Sequence, residues 1–200
     1  MRLILVRHGE SIGNIVAQDM PDAPLTPVGV RQASLTAKYL KDFGITKIAA
    51  SPLIRSLATA QPLAQRLTLP ISVWQELVEV RNKGLYIGPS RQELAAEFPE
   101  AVFGHDIKPE GWIYPGDEKP HEAMKRAHSV LHRLREEYAG ETVAVFAHAT
   151  FNRYILYAVL GITDYEKYYF RQNNGCVNII DFTDDSIRID VLNHWAHQSD

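Results

Sequence analysis

Short unbroken apolar runs alternate along this chain with longer stretches in which apolar residues recur every three or four positions. Residues 3–6 (LILV) form the first run, the pattern of a strand buried on both faces. Thr26-Pro27 then opens a helix, with Thr26 placed to cap it and Pro27 suited to its first position. Val30, Ala33, Ala37 and Leu40 follow at helical spacing, and Gly44 ends the element. Residues 47–50 read as a second strand. Ser51-Pro52 repeats the cap-then-proline signal ahead of a stripe of Leu53, Leu57, Ala60, Ala64 and Leu67, and Pro62 inside it predicts a kink or a restart. A short strand is predicted at 71–73, a short helix at 91–98 and a long helix carrying Met124, Ala127, Leu131, Leu134 and Tyr138 on one face. A buried strand at 142–147 leads into a helix near 151–160. Residues 176–182 and 187–192 read as a closing hairpin turning at Asp184-Asp185.

Strands alternating with helices predict a layered α/β domain around a mostly parallel sheet. Nothing resembles a repeat or a linker, so residues 1–200 are read as one domain. The segment 81–120, rich in proline, glycine and aromatics, is read as an inserted lid that sets specificity. Parallel sheets bind ligands beyond the carboxyl ends of their strands, so the chemistry is sought there.

Composition narrows the function. Hydrophobic residues make up 46% and charged residues 22%, ordinary for a globular protein. The formal net charge of −3 provides no basic field for nucleic acid or an anionic membrane. The single cysteine, Cys176, excludes an intrachain disulfide, and the opening apolar run, residues 3–6, is far too short for a signal peptide or a span. The expectation is a cytoplasmic protein.

Reactive residues follow three of the predicted strands: Arg7-His8-Gly9-Glu10-Ser11, then Ser51 to Arg55, then His148-Ala149-Thr150. Neighbouring strands would bring two histidines and two arginines to one rim. A neutral imidazole is a competent nucleophile near working pH. Two guanidinium groups can fork onto phosphate oxygens, and a second imidazole can donate to the same group. A carboxyl group is still needed to protonate the leaving oxygen and then activate water, and Glu79 and Glu76 are the candidates.

Taken together these residues carry a resemblance. "LVRHGESIGN", "LTPVGVRQA", "SPLIRSLATA" and "FAHAT" resemble, in order and spacing, the blocks of the histidine phosphatase superfamily, which includes cofactor-dependent phosphoglycerate mutases. The likeness spans residues 3 to about 160. It implies a three-layer α/β/α sandwich, phosphoglycerate mutase-like, and a phosphohistidine mechanism with neither metal nor cofactor. It casts His8 as the nucleophile, Arg7, Arg55 and His148 as phosphoryl-binding groups, and Asn14 as a further phosphate contact. Glu79 in Leu77-Val78-Glu79 matches the family's proton donor, with Glu76 held in reserve because Gly84 follows Glu79 by five residues where the family usually has four. Ile87 stands where many members have Glu, and Ala149 where most have Gly.

The mutases carry an "ERHYGxLQG" block where this chain reads "EVRNKGLYIG", so the resemblance favours a phosphatase of the same family. The expected partner is a small phosphorylated metabolite, with a phosphoprotein as the second choice. A phosphoglycerate-type mutase and a catalytically weak phosphate-binding scaffold are the alternatives. His128 and His132, four apart on the long helix, have a metal-binding spacing but no third ligand, and are read as solvated or packing residues. Trp112, Tyr114 and Tyr86 are read either as a wall over the site or as a small core beneath the lid. Cys176 is read as a buried small hydrophobe.

Overall fold

The computed structural model describes residues 1–105 and 107–198. Among the described residues are nine strands: β1 (Arg2–Arg7), β2 (Lys47–Ala50), β3 (Ile71–Val73), β4 (Tyr86–Ile87), β5 (Ala101–Phe103), β6 (Ile113–Tyr114), β7 (Thr142–Ala147), β8 (Val177–Phe182) and β9 (Ile187–His194). The α-helices are α1 (Ile12–Ile15), α2 (Pro27–Leu40), α3 (Ile54–Leu67), α4 (Arg91–Glu97), α5 (Pro120–Glu137) and α6 (Ala149–Leu160). Seven strands form one sheet in the order β5-β3-β2-β7-β1-β8-β9. The first five run parallel, and β8 and β9 add as the antiparallel hairpin expected at the end of the chain.

The sheet is sandwiched because its central strands are apolar on both faces. Ile4 and Val6 of β1 pack with Ala37, Leu40, Leu57 and Leu63 of α2 and α3. Leu3 and Leu5 point the other way, into a second core with Ala127, Leu134, Phe151 and Ile155 of α5 and α6. Strand periodicity of two thus feeds two helical layers, giving the α/β/α architecture.

Thr26 caps α2 by accepting from the Gly29 amide at 3.0 Å. Val30, expected on the buried stripe, is exposed, and Gly29 and Thr36 take buried places instead. Ser51 does not cap α3. That helix begins at Ile54, and the Asp22 carboxylate accepts from the Ile54 amide at 2.7 Å, a cap supplied from far away in sequence. Pro62 lies inside α3, which is continuous from Ile54 to Leu67.

Residues 81–120 do two jobs. β4 and β6 pair as a small antiparallel ribbon apart from the main sheet, while β5 joins the sheet's edge beside β3. Among the described residues no helix is long and apolar enough to cross a membrane.

Candidate active site

The sheet order brings the reactive residues together. β7 enters last of the parallel strands but inserts between β1 and β2, with Arg7 opposite Ala147 and Ala50 opposite Phe146. His8 and His148, each one residue beyond this register, therefore sit side by side, ring centroids 5.2 Å apart. Ser51 follows β2 on the other flank, so all three lie at the carboxyl ends of the central strands.

The turn after β1 needs glycine for a close approach. A Cβ on Gly9 would lie 2.5 Å from the Gly29 carbonyl oxygen, and one on Gly29 would lie 1.9 Å from that of Glu10. The turn thus presses onto the start of α2, and the Gly9 amide donates to Thr59 Oγ1 at 3.0 Å.

His8 is held in one tautomer. Its Nδ1 lies 2.6 Å from the Gly9 carbonyl oxygen, which can only accept, so Nδ1 carries the proton. Arg55 Nε donates to the remaining nitrogen, Nε2, at 3.3 Å, which requires a lone pair there. Both contacts select the same neutral ring. Burial, then the charges of Arg55 and Arg7, holds His8 well below the ordinary histidine value. A lone pair is therefore kept on Nε2 at neutral pH.

Arg55 is buried on the first turn of α3 and also donates to the Pro21 carbonyl at 3.0 Å. Arg7 donates through Nη1 to the Gln172 carbonyl at 2.6 Å. Gln172 is fixed in turn by a reciprocal amide pair with buried Asn178, at 3.0 and 2.9 Å. His148 Nε2 is 2.9 Å from Ser51 Oγ, and burial, then Arg55, keeps this ring neutral as well. Among the buried nitrogens without a protein partner are two beside His8, Arg7 Nε and His148 Nδ1. Buried polar atoms are rarely left so, and both belong to residues flanking His8.

The two candidate carboxylates diverge. Glu79 Oε1 accepts from the Val80 and Phe151 amides at 2.8 and 2.9 Å, and Oε2 from the Thr150 amide at 3.1 Å. It therefore sits on the first turn of α6, directly beyond His148. Glu76 faces α5 and pairs with Arg133 at 3.2 Å. A cavity of about 470 Å³ opens beside Glu79, lined also by Tyr114, Glu76, Glu118, Glu122 and Arg126.

Asn14 lies exposed at the rim. Its Oδ1 accepts from the Ser11 amide at 3.0 Å and from Asn174 Nδ2 at 3.0 Å, leaving only its Nδ2 to donate to an anion. Trp112 is fully buried in core, and Tyr114, also buried, contributes to the cavity wall. Tyr86 is half-buried, its ring 5.8 Å from that of Trp112. The Cys176 thiol is buried and pushed up to about 12. His128 and His132 are exposed on α5, with His132 3.2 Å from Glu136.

Several supporting residues had no usable signal in the sequence. Ser51 carries the cap-then-proline pattern but serves His148. Asp22, Thr59, Gln172, Asn178 and Arg126 act through contacts to segments distant in sequence, which no local pattern reports.

A sequence profile of the histidine phosphatase superfamily (branch 1) matches residues 3–194. The chain is 32% identical over 197 residues to the uncharacterized phosphatase PhoE of Bacillus subtilis (strain 168), covering 98% of this chain and 95% of that protein. It is 29% identical over 184 residues to the probable phosphoglycerate mutase GpmB of Yersinia pestis (strain Pestoides F), covering 91% of this chain and 85% of that one. A phosphoserine phosphatase mutant from Entamoeba histolytica, solved in complex with phosphoserine, shares the fold with a TM-score of 0.72 at 23% identity over 98% of both chains. The chain thus belongs to the histidine phosphatase superfamily, branch 1, and is a hydrolase of the phosphatase class.

Proposed function

We propose that the protein hydrolyses a small phosphomonoester through a covalent phosphohistidine on His8, with Glu79 as proton donor. The observation that carries this reading is the locked tautomer of His8, with Nδ1–H tied to Gly9 and the lone pair of Nε2 facing Arg55. Arg55 Nε gives up its bond to Nε2 and turns to a phosphoryl oxygen, Nε2 attacks phosphorus, the P–O ester bond breaks, and its electron pair leaves on the alcohol oxygen, which takes a proton from Glu79. Water then attacks phosphorus, Glu79 takes its proton, and the N–P bond breaks to restore the His8 lone pair. Arg55 and Arg7 hold the equatorial oxygens. With the Ser51 hydroxyl donating to His148 Nε2, Nδ1 carries that ring's proton and joins Arg7 Nε as a donor to the same group. Asn14 adds a donor at the rim.

Glu79 is preferred to Glu76 because its carboxylate is bound to the helix turn that follows His148, whereas Glu76 is committed to Arg133. The residues present supply nucleophile, anion donors and acid, so the reaction as written uses no metal or cofactor.

The GpmB relative keeps a mutase as the second reading. The cavity beside Glu79 argues against it for phosphoglycerate. Its lining includes one cation, Arg126, and that guanidinium already binds Glu118 and two main-chain carbonyls, while Glu76, Glu79 and Glu122 add negative charge. A substrate carboxylate meets mostly negative charge there, with a single N–H of Arg126 left unshared. Residues 81–120 belong to the same single domain and form the specificity segment over this side, and the protein acts in the cytoplasm. Product analysis tests the choice. Free phosphate released from a panel of phosphomonoesters, and abolished in His8→Ala, is expected. Isomer interconversion dependent on a bisphosphate primer, with little free phosphate, would establish the mutase instead.

A further inference from the structure

The carboxylate that completes the site stands on an irregular segment, not on a strand end. Residues 75–80 follow β3 as a single short turn of 3-10 helix (Gln75–Leu77) and then extended chain, so regular hydrogen bonding does not fix Glu79. One side chain from α5 does much of that work. Arg126 Nη1 donates to the Glu76 and Val78 carbonyls at 2.7 and 2.8 Å, the second belonging to the residue just before Glu79. Its Nε and Nη2 fork onto Glu118 at 2.8 and 2.6 Å, which sets the plane of the guanidinium. Its Cζ lies 3.8 Å from the Phe151 ring centroid. Phe151 is the residue whose backbone amide donates to Glu79 Oε1.

These contacts close a ring, from Arg126 to the Val78 main chain, along the chain to Glu79, through its carboxylate to the Phe151 amide, and from the Phe151 ring back to Arg126. We propose that Arg126 is the positioning residue for Glu79, aligning with the leaving oxygen a carboxyl group that the sheet itself does not align. The inference rests on the reading of Glu79 as proton donor. Four of the five N–H bonds of Arg126 are taken by Glu118 and the two carbonyls, so its hydrogen bonding is directed chiefly at the segment that carries Glu79. Its removal therefore has a selective consequence. An alkyl phosphate, which expels an alkoxide, depends on a well-placed proton, whereas p-nitrophenyl phosphate expels a stable phenolate and depends on it little.

The test compares kcat/KM, which reports the steps up to alcohol release, for an alkyl phosphate from the protein's own substrate panel and for p-nitrophenyl phosphate. Arg126→Lys keeps the charge but cannot fork onto Glu118 and both carbonyls at once. Phe151→Leu removes the ring but keeps the backbone amide, and covers the case in which Arg126→Lys does not fold. Circular dichroism confirms that each variant assayed is folded. The expected result is a loss of about ten- to a hundredfold on the alkyl ester, with a change of less than about threefold on the aryl ester. Rescue is expected to be partial in Arg126→Lys and absent in Arg126→Gln. Glu79→Gln is run alongside. If it shows the leaving-group selectivity and neither Arg126→Lys nor Phe151→Leu does, the inference on Arg126 is wrong while the reading of Glu79 stands. If Glu79→Gln shows no selectivity, the reading of Glu79 fails and the inference fails with it.

Discussion

The two flanks of the site are built by different means and carry opposite charge. On the phosphoryl flank, two arginines and two neutral histidines stand at or beside the ends of β1, β2 and β7, and strand register alone sets His8 beside His148. On the alcohol flank, Glu79, Glu118 and Glu122 surround a cavity, and helix contacts hold an irregular chain in place. Under the proposed mechanism, a protein of net charge −3 concentrates positive charge where the anion would be held and negative charge where the alcohol would depart. Overall charge carries little information about such a site. The sheet makes the first flank rigid, while the second depends on individual side chains, so substitutions on the two flanks should fail in different ways.

The largest effect is expected from the phosphoryl flank. Arg55→Met should lower kcat/KM about a thousandfold on alkyl and aryl esters alike, because it removes charge common to both transition states. Vanadate affinity should fall with it, as isothermal titration would show. On the alcohol flank, Glu79→Gln should cost about a hundredfold or more on an alkyl ester but keep vanadate binding, while Glu76→Gln should stay within about threefold. Equal losses in the two glutamate variants would erase the distinction between them.

A subtler contrast concerns protonation. Because burial and Arg55 pull His8 and His148 well below the ordinary histidine value, both should remain neutral as pH falls through about 6.5, the value for a free side chain. Ring signals followed by NMR should then hold their neutral shifts across that range. In Arg55→Met both should titrate higher, since the repelling charge has gone.

The smallest effect concerns Asp22, a carboxylate within the positive flank. Burial pushes it up to about 6, with the Ile54 amide and Arg55 only partly opposing, and its Oδ2 has no partner. Its folded value thus lies above that of the unfolded chain. The stability it contributes is complete below about 4 and is lost as pH rises through about 6. Asp22→Asn keeps an acceptor for the Ile54 amide and should be about 1 kcal/mol more stable than the native chain at pH 8, with no gain at pH 4. Thermal melts at the two pH values measure this.

The same contrast explains what could be read in advance. The phosphoryl flank was legible because apolar runs mark the strands and reactive residues follow each run directly, at His8, Arg55 and His148. The two-faced packing was legible from residues 3–6 alone, since four successive apolar side chains must fill two cores. The alcohol flank was legible only through the family resemblance, which favoured Glu79. Periodicity and spacing do not separate it from Glu76, three residues away, and in the structure they are separated by Phe151 and Arg133, each more than fifty residues distant. Ser51 shows the limit of local signals. Followed by proline it has the pattern of a helix cap, yet α3 starts three residues later with Asp22 accepting from its first amide, while Ser51 Oγ accepts from the Leu53 amide and lies against His148. Val30 fails for a related reason, since the turn presses onto Gly29 and rotates the buried face of α2 away from it.

Catalysis as proposed turns on a bond between phosphorus and His8 Nε2. Rapid mixing with a phosphorus-labelled substrate, quenching without acid and peptide mapping under alkaline conditions would reveal that bond. Label is expected on the peptide containing His8, attached at Nε2, formed and lost at rates compatible with turnover and absent in His8→Ala. Full turnover by a protein that never carries label at His8, or unimpaired activity of His8→Ala, would contradict this mechanism.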